Sequence, residues 1–128
     1  MTAIRGLGEI ALRVNNPDEM QRFYEDVVGL TLMQRFPPVA FFKIADGFEG
    51  HTQILALFDR TSDANYVEPE IAKSTVDHIA FAISLDDFES ERKRLEGLGL
   101  PVETYEFSWV HWRGIFINDP EGNMIEFV

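Results

Sequence analysis

Cysteine is absent from this chain of 128 residues, so neither a disulfide framework nor a thiolate metal site is available to it. Long apolar runs are absent as well. None approaches the ~20 residues that a membrane-crossing helix requires, and residues 1–6 lack the apolar core of a signal peptide. These absences favour a cytoplasmic protein, and the length suits one domain with a real core.

Cationic side chains are scarce. The chain has 11 Lys and Arg against 22 Asp and Glu, for a formal net charge of -11. Such a charge repels nucleic acids and anionic membranes at long range, so we expect neither as a partner. Neutral or cationic small molecules remain as ligands.

An internal repeat organises what is present. Residues 8–14 alternate apolar and polar side chains, as a half-buried strand does, and residues 77–83 repeat this pattern. The dipeptides Ile-Ala and Gly-Leu recur at matching places in the two halves. We interpret this self-similarity as a duplicated module, because two copies are too few for a solenoid.

Each copy predicts a strand, a helix and three further strands. In the first copy Asn16 is the expected helix cap, Pro17 suits the first helical position, and Gly29 can supply the left-handed stop. The predicted strands there are residues 8–14, 31–36, 39–45 and 51–58, followed by a polar linker, residues 59–74. In the second copy they are residues 77–83, 102–107, 109–118 and 123–128, with a helix after Ser84 whose inward side chains are Leu85, Phe88 and Leu95. The fold class is therefore α+β, with βαβββ modules in residues 1–58 and 75–128.

In the first strand of each copy, the side chains of one face are large and apolar, and those of the other face are mostly small. Ile10, Leu12 and Val14 suit packing against a helix, whereas the opposite face has Glu9 followed by a small Ala11. His78 occupies the matching place in the second copy and is likewise followed by alanines. A polar side chain beside small ones leaves a concavity where a ligand can lie.

The last strand carries a carboxylate between apolar neighbours. An Asp-Pro-Glu-Gly-Asn turn precedes it, and Glu126 alternates with Ile125 and Phe127. Glu126 either points into water, as most carboxylates do, or shares a face with Glu9 and His78. In the second case three potential metal ligands converge on one side of a curved sheet.

The pattern resembles the vicinal oxygen chelate superfamily, the group of glyoxalases, bleomycin resistance proteins and extradiol dioxygenases. It is carried by Phe-Tyr-Glu-Asp-Val-Val-Gly-Leu at residues 23–30, Asp-His-Ile-Ala-Phe at residues 77–81 and Asp-Pro-Glu-Gly-Asn-Met-Ile-Glu at residues 119–126. The resemblance spans nearly the whole chain. It implies paired βαβββ modules that form a half-open, mixed-sheet barrel around a divalent metal.

Carried over to this sequence, the resemblance implies the metal ligands Glu9, His78 and Glu126. The fourth position of the family falls on Ala56, which cannot bind a metal, and Gln53 would replace it only through a bulge. One imidazole and two carboxylates suit Fe(II), Mn(II), Ni(II) or Co(II), with Zn(II) also possible. For each implied ligand a plainer interpretation stays open: His78 as a hydrogen-bonded core histidine, and Glu9 as a partner of Arg13.

Three protein ligands leave open positions for a substrate that chelates the metal through two adjacent oxygens. We expect lyase, isomerase or epimerase chemistry slightly ahead of ring cleavage, with Glu126 and His111 as catalytic groups. Substrate contacts are expected from Arg13, Trp109 and Arg113. The alternative is a metal-free protein of the bleomycin-resistance type that sequesters a drug.

Two further expectations concern His51 and assembly. His51 opens a predicted strand, and we interpret it as a surface residue rather than a catalytic one. Relatives of this length commonly pair two chains, so the resemblance implies a homodimer, with modules possibly exchanged between the chains.

Overall fold

The computed structural model describes residues 2–68 and 70–128, and the chain divides into two compact units, residues 1–68 and 69–128. The first unit contains β1 (Glu9–Val14), α1 (Pro17–Arg22) with a π-helical continuation (Phe23–Val28), β2 (Thr31–Phe36), β3 (Val39–Ala45) and β4 (Gln53–Asp59). Its four strands form one sheet in the order β1-β4-β3-β2. The β1–β4 pair is parallel and the other pairs are antiparallel, so the sheet is mixed.

The helix of the first unit begins and ends as its sequence predicts. The Asn16 side chain accepts a hydrogen bond from the Glu19 backbone N–H at 3.1 Å, which satisfies one of the free donors at the helix start. Gly29 closes the π-helical segment with a φ of 88°, in the left-handed region. Fully buried Tyr24 packs on Phe42 of the sheet, with ring centroids 6.2 Å apart.

The second unit repeats this architecture. It contains β5 (His78–Phe81), α2 (Phe88–Gly97), β6 (Glu103–Phe107), β7 (Trp112–Asn118) and β8 (Met124–Phe127). The sheet order is β5-β8-β7-β6, the same as in the first unit, again with one parallel pair, β5–β8. The predicted α+β class and the duplicated βαβββ order are confirmed.

The core of the second unit lies between its sheet and α2. The side chains that point from the sheet toward this layer are Ile79, Phe81, Ile115, Ile117, Ile125 and Phe127, all buried. From the helix come Phe88 and Leu95, as predicted. Leu85 was expected to point inward and does not: it lies in a short 3-10 turn before the helix and is 74% exposed.

One buried carboxylate, that of Asp119, stabilises the turn before β8 through hydrogen bonds. Asp119 accepts hydrogen bonds from the backbone N–H groups of Glu121 and Asn123, both at 2.9 Å, and from the Asn123 side chain at 2.8 Å. Gly122 has a φ of 89°, which a left-handed turn position requires. This turn sets the register in which β8 returns along β7.

Several predicted strand boundaries differ from the structure. The strand expected at residues 109–118 begins only at Trp112, because Phe107 pairs with Trp112 and the residues between them form the hairpin turn. The alternation of Trp109, His111 and Arg113 predicted a strand there. His111 has a φ of 59°, in the left-handed region, which a strand does not adopt. The strand expected at residues 51–58 is Gln53–Asp59, and the strand expected at residues 77–83 ends at Phe81.

Candidate metal centre

Strand register places the two predicted ligands of the second unit on one face. His78 pairs with Met124, Ala80 pairs with Glu126, and residues in register across a parallel pair share a face. We call the face of the β5–β8 sheet that includes His78 and Glu126, opposite to the packed core, the ligand face. Ile125 and Phe127 point the other way and are buried in the core of the unit.

His78 and Glu126 are in contact. The Nε2 atom of His78 lies 3.2 Å from Oε1 of Glu126, and its Nδ1 atom lies 2.8 Å from Oδ1 of Asp77. Asp77 therefore fixes the ring from the side away from Glu126. A carboxylate on the second nitrogen is the usual way in which a metal-binding imidazole is oriented.

The second oxygen of Glu126 is buried without a partner. The residue is 4% exposed, and Oε2 has no hydrogen-bond partner among the described residues. The space it occupies exists because Gly114 on the neighbouring strand has no side chain: a methyl group added there would overlap Oε2. A buried carboxylate oxygen that is left unsatisfied costs free energy, so the arrangement indicates a partner that the protein itself does not provide.

The remaining predicted ligand belongs to the first unit. Glu9 pairs with Ile54 at the start of β1, on the face of its sheet that also includes Ala11 and Ala56, and it is exposed. Register thus confirms that Ala56 holds the place that Glu126 holds in the second unit, since Ala56 pairs with Ala11 as Glu126 pairs with Ala80. Gln53 alternates away from Ala56, so it does not fill the missing position.

The described residues supply two of the three predicted ligands of a divalent ion at one place. Within the described part of the second unit, His78 and Glu126 come together, but no group of three His, Asp or Glu side chains is gathered for a metal. That Glu9 completes the set stays a prediction. The donor set of one imidazole and carboxylate oxygens suits a first-row divalent metal.

Arg113 lies on the other face of the sheet from Glu126. Its guanidinium carbon is 4.1 Å from the centre of the Phe88 ring on α2, and its nitrogens lie 3.2 Å from a Glu89 oxygen and 3.7 Å from a Glu106 oxygen. Arg92, and to a lesser extent Arg113, hold the pKa of the Glu89 carboxyl below its ordinary value. Arg113 therefore already has a packing and ion-pairing role within the unit.

The other predicted substrate and catalytic residues are spread over the surface. Trp109 is 80% exposed in the β6–β7 turn, and His111 follows it in the same turn. His111 and Arg113 do line a common pocket of about 320 Å³ at the ends of β5 and β8. Arg13 lies near the end of β1, four residues from Glu9 on the same face. His51 is exposed, as expected.

Sequence reasoning missed Gly114, Asp77 and the aromatic neighbours of the pair. Gly114 lies in the interior of a predicted strand, whereas Gly8 lies at the end of one, and an interior glycine is a signal of close backbone approach. The Asp77-His78 dipeptide was noted only as part of a motif. The ring of Phe116 lies 6.0 Å from that of His78, a contact that requires the register of three strands to predict.

No helix in residues 2–68 and 70–128 is long and apolar enough to cross a membrane.

Comparison with known proteins agrees with the architecture. The family model described as the Glyoxalase/Bleomycin resistance protein/Dioxygenase superfamily matches residues 6–127. A curated relative, glutathione transferase FosA of Serratia marcescens, is 25% identical over 123 residues, which are 96% of this chain and 79% of that protein.

Solved structures are similar over nearly the whole chain. Lactoylglutathione lyase from Agrobacterium tumefaciens is 27% identical, with a TM-score of 0.73, over 98% of this chain and 94% of that one. The fosfomycin resistance protein FosX from Listeria monocytogenes, solved with Mn(II) and a dihydroxypropylphosphonic acid, is 20% identical. Its TM-score is 0.70, over 97% of this chain and 89% of that one. At that identity the second likeness concerns the fold alone.

Proposed function

Because the chain belongs to the glyoxalase/bleomycin resistance protein/dioxygenase superfamily, we propose that it is a metal-dependent enzyme. Its substrate is a small molecule that chelates the metal through two adjacent oxygens, and we place lyase, isomerase or epimerase chemistry slightly ahead of ring cleavage. The observation that supports this most is the His78–Glu126 contact with one buried carboxylate oxygen left over.

Each residue of the proposed metal centre has its own role. His78 and Glu126 would hold the ion, with Glu9 of the first unit as the third ligand. A divalent ion bound there supplies a Lewis acid that stabilises negative charge on the substrate oxygens. Asp77 keeps the His78 ring in one orientation through its 2.8 Å contact with Nδ1. Glu126 is also the proposed acceptor for a substrate proton, because a carboxylate beside the bound ion can serve as a base.

A second candidate is a metal-free binding protein that sequesters a drug. The observation in its favour is Ala56, which removes one of the four ligand positions of the family. Against it stands the retained pair in the second unit, which a sequestering protein does not need. We therefore place the enzyme first.

Metal analysis separates the two candidates. The chain, purified without chelators, should contain close to one equivalent of a divalent metal, or bind Ni(II), Mn(II) or Fe(II) with a rise in melting temperature. Glu126→Gln and His78→Ala should each abolish that rise, whereas His51→Ala, which replaces an exposed histidine, should preserve it. If the parent chain neither contains nor binds a divalent metal, the enzyme proposal is wrong and the drug-binding candidate takes its place.

We also propose that the active form is a homodimer, as is common in this superfamily, with modules possibly exchanged between chains. Light scattering at micromolar concentration should give twice the mass of 14.7 kDa. A monomeric mass with metal bound would exclude the dimer and leave the metal site in place.

A further inference from the structure

The pocket that His111 and Arg113 share lies where β5 and β8 end and β7 begins. Its volume of about 320 Å³ falls in the range of small-molecule sites. The pairing of β5 with β8 continues to its wall, because the Ile83 backbone N–H donates to the Val128 carbonyl at 2.8 Å. We call this cavity, lined by residues 82–85, 88, 111–113 and 128, the hairpin pocket, after the β6–β7 hairpin that supplies residue 111.

The hairpin pocket lies apart from the proposed metal centre. Ala82, which lines it, follows His78 by four residues. At ~3.3 Å per residue of a parallel strand, about 13 Å separate the two positions. Arg113 packs on Phe88 on the helix side of the sheet, whereas Glu126 belongs to the ligand face. A ligand bound by Arg113 therefore does not require an ion at His78.

Apolar side chains form the larger part of the pocket lining. Leu85 is 74% exposed at the start of the turn that leads into α2, and Phe88 is buried beneath Arg113. Ile83 and Val128 line the pocket from the two strand ends. Covering exposed apolar surface such as that of Leu85 is favourable, so these side chains suit the apolar body of a ligand.

The polar side chains of the lining can all donate a hydrogen bond. They are those of Ser84, His111, Trp112 and Arg113. Among the described residues, no Asp or Glu lines the pocket. The Ser84 hydroxyl oxygen accepts from the Asp86 backbone N–H at 3.3 Å, which leaves its hydrogen for another acceptor. A set of donors with one permanent cation suits an anionic head group.

Arg113 is held in position for such a head group. Its guanidinium carbon is 4.1 Å from the centre of the Phe88 ring, and Nη2 lies 3.2 Å from a Glu89 oxygen. The 3.7 Å distance from Nε to Glu106 is too long for a hydrogen bond. Glu89 is shared with Arg92, at 2.7 Å, so it neutralises Arg113 only in part. A side chain that is already positioned loses less entropy on binding.

The duplication of the fold does not account for these groups. By strand register, the place of Arg113 corresponds to that of Pro38 in the first unit, which carries no charge. The β2–β3 turn consists of residues 37–38, whereas the β6–β7 turn consists of residues 108–111. The longer turn is what brings His111 to the pocket beside Arg113.

We propose that the hairpin pocket is a second ligand site, for a small monocarboxylic acid with an apolar ring or branched chain. The carboxylate binds Arg113 and accepts hydrogen bonds from His111 and Ser84, while the apolar body covers Leu85. This site goes beyond the proposed function and does not depend on it.

Phenylacetate, phenylethanol and phenethylammonium test this selection, because they share one apolar body and differ in the charge of the head group. Each is titrated into metal-free, isotope-labelled protein at about pH 7 in about 0.15 M NaCl, which screens the net charge of the chain. We expect phenylacetate to saturate with a Kd below about 1 mM and to shift the amide signals of residues 83–85 and 111–113. Phenylethanol should bind at least about tenfold more weakly, because it lacks the charge-assisted hydrogen bonds. Phenethylammonium and acetate should not saturate.

Two substitutions change the pocket in different ways. Arg113→Met removes the cation and should weaken phenylacetate binding at least about tenfold. Ala82→Phe keeps Arg113 and fills the cavity, so it should abolish binding. The matched controls are Arg94→Met on α2 and Ala64→Phe at an exposed place in the first unit, and both should preserve it. Melting curves show which variants are folded, and Ala82→Phe decides if Arg113→Met is not.

The other outcomes overturn the second site. They are absence of saturation, equal affinity for the acid and the alcohol, tighter binding of the ammonium compound, and unchanged binding in folded Arg113→Met or Ala82→Phe. Phenylacetate binding that requires Ni(II), is lost in His78→Ala or shifts only residues near 78 and 126 would place the acid at the metal centre instead. Absence of Ni(II) binding overturns the proposed function and leaves this site in place.

Discussion

The backbone of Gly114 lies directly against the carboxylate of Glu126, with no room for a side chain between them. Gly114→Ala should therefore displace Glu126 Oε2 or push the two strands apart. Overpacking of this kind costs about 1–3 kcal/mol. We expect a lower melting temperature and at least a tenfold loss of Ni(II) affinity, measured by calorimetry.

A matched control for that substitution exists on α2. Gly97→Ala introduces the same methyl group at a helical position where nothing lies within 4 Å. It should leave Ni(II) affinity unchanged and should stabilise the protein slightly, because alanine is the better helix former. Equal behaviour of the two variants would contradict the steric argument for Gly114.

Glu126 should lower the stability of the metal-free protein. Its Oε2 atom is buried without a partner in the described part of the chain, and burying such a group costs about 1–3 kcal/mol. Glu126→Leu removes the charge and fills the space beside Phe116, while half-exposed His78 can turn to water. Chemical denaturation without metal should show a free energy of unfolding raised by about 1–3 kcal/mol. The same variant should gain nothing from added Ni(II), and a metal-free variant less stable than the parent would show that Glu126 is structural.

Much of this fold could be predicted from the sequence because its signals are local. The cap at Asn16, the left-handed Gly29 and the alternation around Glu126 each depend on a few neighbouring residues. The repeat predicted the same βαβββ order along the chain in both halves, whereas the order of strands within each sheet came only from the structure. The same alternation failed at His111, where a hairpin turn interrupts an apolar run that looks like a strand.

The site was harder to predict because its geometry depends on register. His78 and Glu126 were expected on one face, but their 3.2 Å contact depends on the parallel pairing of β5 with β8. The role of Gly114 depends on a third strand. Arg113 was assigned to substrate binding from alternation alone, and register places it on the helix side against Phe88.

Arg113 should therefore matter for stability more than for ligand binding at the metal centre. Arg113→Met keeps most of the side-chain length and removes the contact of the charge with the Phe88 ring, which in a partly exposed place is worth about 0.5–1 kcal/mol. We expect a melting temperature lower by a few degrees, with unchanged affinity for Ni(II) and, in the Ni(II)-loaded protein, for acetohydroxamate, a small compound that chelates a metal through two adjacent oxygens. A selective loss of ligand affinity at unchanged stability would restore the original assignment and would indicate that the pocket beside His111 belongs to the site.

Glu89 should contribute to stability only above mildly acidic pH. Arg92 first, and Arg113 second, hold its pKa below the ordinary 4.5. Since the folded-state pKa is the lower one, the contribution is complete above about pH 4.5 and is lost as the pH falls through the folded-state value. Glu89→Gln should thus make the loss of stability below that pH less steep, as measured by urea denaturation at a series of pH values. The difference should shrink in 1 M NaCl, which screens exposed charges, and in an Arg92→Gln background, where the main partner is gone. Parallel pH curves for the parent and Glu89→Gln would show that the ion pairs on α2 do not link folding to protonation.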